Sequence, residues 1–229
     1  MNPIVILGML TIPLSPSAGW QSLSFSKIKP NQVEIKDGRI DVKVNQSAGP
    51  LVLPLKETTS VTGFRVKLKI EGAIKETDSP FPEDAYFRLG LVAPGKRRMN
   101  RMERMFAAKW VKTLFDLAPK DSGIDKIYFY NLVPPKWPVG SNRVFPGSKD
   151  LMSEKIVANH DGKNGEVILD YKLDSPVNTA ALWLSPDGDD TQSEFSLVIQ
   201  EITLRGPDKS GLDKSSTSES PSPAPKPVH

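Results

Sequence analysis

The chain has 229 residues, 38% hydrophobic and 25% charged, which is enough apolar material for one sizeable core. Its 30 Lys and Arg against 27 Asp and Glu leave a formal charge of +3, too small a surplus to mark a nucleic-acid surface. With no cysteine, the chain has no disulfide, thiolate metal site, cysteine nucleophile or acylated-Cys lipid anchor.

The opening "MNPIVILGMLTIPLSPSAGW" joins an apolar stretch, Pro3 to Leu14, to small residues, with Ser17 and Gly19 placed for cleavage just before Trp20. Residues 1–19 read as a short secretory signal, although no Lys or Arg precedes the apolar stretch. That stretch is shorter than the roughly 20 residues a bilayer span needs, so a periplasmic or secreted protein without a transmembrane span is expected. A buried first strand is the competing reading, disfavoured by Pro3, Pro13 and Pro16.

Short strands with turn punctuation follow. "SLSFSKI" alternates, and "QVEIKDGRIDVKV" is two alternating runs joined by Asp37-Gly38, a dipeptide suited to tight hairpins. "GPLVLPL" comes next. In "VTGFRVKLKIEG", Phe64, Val66, Leu68 and Ile70 share one face and Arg65, Lys67 and Lys69 the other, the mark of a half-buried strand. "EDAYFRLGLVAPG" alternates likewise, with Asp84, Tyr86, Arg88 and Gly90 opposite Ala85, Phe87, Leu89 and Leu91.

The period then changes. Met99, Met102, Phe106, Trp110 and Leu114 recur at intervals of three and four up to Pro119, which predicts one amphipathic helix packed on the sheet. Its basic face, with Arg97, Arg98, Arg101, Arg104, Lys109 and Lys112, is expected to be the solvent side; an anionic membrane or polymer surface is the alternative. Strand character resumes in "IDKIYFYNLV", a Pro- and Gly-rich loop covers 134–147, and strands are predicted at 151–158, 166–171, 179–184 and 195–204. The fold class is therefore mainly β, an antiparallel jelly-roll-like β-sandwich over 20–206 with one helical insertion. The tail 207–229, rich in Ser, Pro and Lys, is expected to be disordered.

Between the last two strands, "SPDGDDTQSEF" sets Asp187, Asp189, Asp190 and Glu194 within eight positions. Against the calcium template D-x-[DN]-x-[DN]-G-x5-E, the third ligand falls on Thr191, the Gly on Gln192 and the Glu on Val198, which excludes an EF-hand. A looser calcium site on Asp187, Asp189 and Asp190 stays open beside the favoured reading of a solvated turn with no cofactor.

Several of these segments, taken in order, carry a resemblance. Trp20, the paired acids and Arg of "EDAYFRLGLV", "KIYFYNLV", "WPVGS", and the succession "ALWL", "DGDDT", "FSLVIQEITL" resemble a bacterial family of exported proteins, domain of unknown function 3047. The resemblance runs from Trp20 to Gly206 and implies a sandwich like galactose-binding jelly rolls, with no activity attached. Asp190 stands where that family tends to have Asn.

The residues suggest a binding face. Asp84, Tyr86 and Arg88 on one strand, Tyr128 and Tyr130 on another, Trp183 on a third and Trp137 at a rim would together suit a sugar, whose C–H face stacks on aromatics while its hydroxyls meet Asp and Arg. Core filling and an Asp84–Arg88 ion pair form the plainer reading. His160 in "ANHDGKNG" reads as a turn residue, and there is no G-x-S-x-G elbow, zinc motif or phosphate loop. Non-catalytic binding of a glycan or cell-envelope polymer is expected. The alternatives are a glycosidase-like hydrolase using Glu83 or Asp84 with a loop acid, and a structural or partner-binding envelope protein.

Overall fold

A computed structural model describes residues 5–6, 8–107, 109–119, 122–145, 148 and 150–207. The strands are β1 (Val5–Ile6), β2 (Met9–Thr11), β3 (Gln21–Ser22), β4 (Gln32–Lys36), β5 (Arg39–Asn45), β6 (Leu51–Ala73), β7 (Phe87–Gly95), β8 (Gly123–Val133), β9 (Asn142–Val144), β10 (Met152–Asn159), β11 (Gly165–Leu184) and β12 (Glu194–Arg205), with helices α1 (Arg101–Phe106) and α2 (Lys109–Asp116) between β7 and β8. The protein is a mainly β sandwich, as its alternating apolar segments require.

Two strands build both layers. β6 runs for 23 residues and β11 for 20, paired antiparallel throughout, and register shifts between Lys172 and Val177 and between Thr179 and Ala181 bend the ribbon. On one side of the bend, β12 lies between β6 and β5, and β4 pairs with β5. On the other, the order continues β11-β7-β8-β10-β9. Phe64, Val66, Leu68 and Ile70 from the first layer and Leu89, Leu91, Leu132 and Leu182 from the second belong to one core, each fully buried. Each such side chain stabilises the fold by roughly 1.5–3 kcal/mol relative to exposure.

Alternation sends the intervening residues of the second layer outward. Val92, Ile127, Phe129, Ala181 and Trp183 form a second cluster, covered by Leu114 and Leu117 of the helical insertion and by Leu151. The candidate site lies on this outer face.

Several sequence expectations are corrected. β10 runs parallel to β8, so the sandwich is not wholly antiparallel; the connection through the Pro-rich loop and β9 supplies the crossover that a parallel pair needs. Of "SLSFSKI" only Ser22 is strand, joined in β3 by Gln21 before it, because the ladder reaches Pro50, which has no N–H to return a bond to Leu23. The Asp37-Gly38 turn, a dipeptide whose usual hairpin form has positive φ at both residues, has it only at Gly38, at 83°. The single expected helix is two: Asn100 and Glu103 form a capping box for α1, and Ala107, at φ −67° and ψ 145°, is extended and ends it. The break splits the apolar stripe, leaving Leu114 buried while Met102 and Phe106 are 69% and 78% exposed. The Trp110 side chain lies outside the described residues.

Part of the segment read as a leader is built into the sheet. Met9–Thr11 pair with Thr203–Arg205, Ile12 and Leu14 are in the core, and Trp20 Nε1 donates to the Pro13 carbonyl at 3.0 Å. The tail expected to be disordered lies, after Pro207, outside the described residues. Among the described residues no helix is long and apolar enough to cross a membrane.

Candidate functional site

The loop between β11 and β12 is tied down by the segment before β7. Asp84 is 1% exposed; its Oδ2 accepts from Thr191 N at 2.7 Å and Thr191 Oγ1 at 2.6 Å, and its Oδ1 from Asp190 N at 3.4 Å. Asp187 Oδ1 accepts from Ala85 N at 2.8 Å, and the Asp187 amide returns a bond to the Ala85 carbonyl at 3.1 Å. Asp84 and Asp187 thus position the loop. Asp189 and Asp190 are left at its tip.

Below the tip, Arg88 projects outward from β7, because Phe87 and Leu89 take the inward positions. Its guanidinium pairs with Asp187, lies 3.3 Å from Glu154 of β10, and donates from Nη2 to the Glu83 carbonyl at 2.7 Å. Arg143 of β9 completes the chain, donating from Nε to Glu154 Oε2 at 2.6 Å, and Asn131 Nδ2 donates to Glu154 Oε1 at 3.3 Å. Glu154 is 2% exposed and needs both arginines, because an unpaired buried carboxylate would cost several kcal/mol. Two buried atoms of the network, Arg88 Nε and Asn131 Oδ1, make no hydrogen bond.

Arg88, Glu154 and Asp187 border a cavity of about 240 Å³. One wall is apolar, made by Phe129 and Trp183 in edge-to-face contact (82°, centroids 6.3 Å apart) with Phe25 and Met152. The other is charged, with Arg88, Glu154, Asp187, Asp189, Asp190 and Glu83. Gly90 makes the aromatic wall fit, since a Cβ there would lie 2.7 Å from Phe129 Cε1 and 3.0 Å from Trp183 Cβ. Burial pushes the Asp189 carboxyl above its usual range, helped by Asp190 and Asp84; burial, then Asp84 and Glu83, does the same to Asp190.

Asp84, Arg88, Trp183, Asp187, Asp189 and Asp190 therefore meet in one place, although sequence assigned them to two. The other expected residues do not join them. Tyr86 is in the core, its hydroxyl accepting from Ile74 N at 3.0 Å. Tyr128 and Tyr130 face inward and line a separate groove of about 490 Å³, beside Lys155 and Asp174. Burial there drives the Tyr130 hydroxyl pKa upward. Trp137 is not a rim platform. It is 6% exposed in a small cluster with Ala85, Val133 and Ile156, and its Nε1 donates to the Ser79 carbonyl at 3.2 Å. Sequence reasoning missed Phe129, Glu154, Arg143 and Asn131; the outward Asn in "YFYNLV" and the Glu in the apolar-flanked "SEKIVA" were the available signals.

The Asp84, Asp187 and Asp189 carboxylates bring oxygens within 4.8 Å of one another. They suit a metal poorly, because Asp84 is occupied by N–H and O–H donors and Asp187 by Ala85 N and a guanidinium.

No family model matches the chain, and no curated protein does. Among solved structures it is similar to a family 11 carbohydrate-binding module from Clostridium thermocellum in complex with a β-1,3-1,4-mixed-linked tetrasaccharide, at 10% identity and TM-score 0.39, covering 88% of this chain and 98% of that one. It is also similar to a xylan-binding module (8%, TM-score 0.34, 87% and 97%) and to the exoplasmic/lumenal domain of VIP36 in a Ca2+- and Man3GlcNAc-bound form (9%, TM-score 0.38, 90% and 91%). Likeness at this level carries nothing of those proteins' ligands or activities to this chain.

Proposed function

We propose that the protein is a non-catalytic binding module for a glycan, working outside the cytoplasm and taking one sugar residue in the outer pocket. The observation that carries this is the meeting of a rigid aromatic wall with fixed hydrogen-bonding groups in one 240 Å³ cavity. That volume is below the roughly 300–1,000 Å³ of drug-sized ligand pockets and suits a single ring. A sugar's C–H face would pack on Phe129 and Phe25, and its hydroxyls would donate to Asp189 and Asp190. Placement in the envelope rests on the resemblance to an exported family.

A hydrolase on this scaffold is less well supported. Asp84, which accepts from Thr191 N and Thr191 Oγ1, is not free to move a proton, which leaves Glu83 with Asp189 or Asp190 as the carboxylate pair a glycosidase would need. Calorimetric titration of the full chain with neutral and charged oligosaccharides, with and without calcium, tests the glycan reading. Binding that Phe25→Ala weakens at least tenfold supports it, and no heat from any sugar refutes it.

A second reading has its own observation. α1 presents Met102, Met105 and Phe106, all more than two-thirds exposed, beside Arg101 and Arg104. Apolar and basic side chains so placed suit an anionic lipid surface. Sedimentation with vesicles containing phosphatidylglycerol, compared with Phe106→Ser, tests it.

A further inference from the structure

We propose that the sugar selected by the outer pocket carries a free, protonated amine, so that the ligand is a glycan containing de-N-acetylated hexosamine. This rests on the glycan reading above and names the class of sugar. The charge balance of the cavity leads to it. Its lining holds Glu83, Glu154, Asp187, Asp189 and Asp190 against one cation, Arg88. Arg88 pairs with Asp187 and, with Arg143 from behind, with Glu154. Among the described residues no ion pair reaches Glu83, Asp189 or Asp190.

Three carboxylates of the lining thus have no ion-pair partner, with Arg88 the single cation near them, and two of the three are on the loop tip that Asp84 holds in place. A neutral sugar would donate hydrogen bonds to them but leave the like charges facing one another, and an anionic sugar would add a fourth. An ammonium supplies three donors and a positive charge where they converge. The Asp189 and Asp190 carboxyls, raised first by burial and then by neighbouring carboxylates, point the same way. A sugar fits better than a bare amine because the apolar side chains of the lining, Phe129 and Met152 among them, would otherwise have no ligand surface against them. The chain's formal charge of +3 opposes general attraction of a polycation, so affinity for one must be local.

The test is titration of the full chain at 0.15 M salt with four probes: a glucosamine hexamer, the N-acetylglucosamine hexamer, cellohexaose and spermidine. The glucosamine hexamer is expected to bind at least tenfold tighter than either neutral hexamer, and the double variant Asp189→Asn/Asp190→Asn, checked for folding by circular dichroism, is expected to abolish that preference. Equal or tighter binding of a neutral hexamer overturns the amine while leaving the glycan reading standing. Binding of spermidine alone overturns the glycan reading, and so does the absence of any binding. A preference that survives in the double variant, or that requires added calcium, overturns the assignment to these carboxylates.

Discussion

Replacing Asp84 with Ala removes the group that anchors the acidic loop and is expected to cost about 3–5 kcal/mol. The figure follows from two short charge-assisted bonds, 2.7 and 2.6 Å to Thr191, each worth about 1.5–3 kcal/mol. The contact to Asp190 N at 3.4 Å adds little. In a sandwich of this size the loss corresponds to a fall in Tm of roughly 6–20 °C. Asp84→Asn separates charge from shape. Its amide oxygen can still serve Thr191, but its NH2 then faces the Asp190 amide, donor to donor, while some repulsion from the loop acids is relieved. A smaller loss of about 1–3 kcal/mol is expected. Urea unfolding followed by tryptophan fluorescence measures both, with unchanged m-values showing that the native state is otherwise intact. If Asp84→Ala costs less than about 1 kcal/mol, Asp84 is not the anchor described here.

Asp189→Asn is expected to stabilise the protein at pH 7. The folded-state carboxyl titrates above its ordinary 3.8, so the fold disfavours its ionised form, and the gain on removing it should shrink as pH falls toward 3.8 in urea titrations at stepped pH. His160 works in the opposite direction. Burial lowers its pKa below 6.5, so the unfolded chain takes up that proton first and stability declines as pH drops below about 6.5; His160→Gln should flatten this part of the pH profile. Trp137→Ala should cost about 3–5 kcal/mol while leaving the affinity for any sugar unchanged, which calorimetry on the folded variant would show.

Strand pattern was legible wherever burial is one-sided. Phe64 to Ile70 and Phe87 to Leu91 alternate in sequence and point inward as written. Helical period was legible too, but not the break at Ala107, because its extended backbone has no sequence marker such as Pro or Gly. The site was only half legible. Tyr86 and Arg88 read as neighbours on one face, yet regular alternation begins only at Phe87, so Tyr86 turns into the core. Tyr128 and Trp183 seemed to share a face because which way each strand's alternation points depends on pairings more than 50 residues apart, such as Trp183 with Val52 and Gly90. Glu154 stayed hidden for the same reason. Its burial is tolerable only because Arg88 and Arg143 arrive from other strands.

The place of β12 bears on how the chain is made. β5 ends at Asn45, while the strand that separates it from β6 begins only at Glu194. About 150 residues must be synthesised between them, which at roughly 5–20 residues per second takes some 7–30 s. From the completion of β6 at Ala73 to the end of that interval, β5 and β6 present bare edges, each a template for pairing with another nascent chain. Ribosome-bound intermediates of this protein should therefore depend on a holding chaperone until the final strand has emerged.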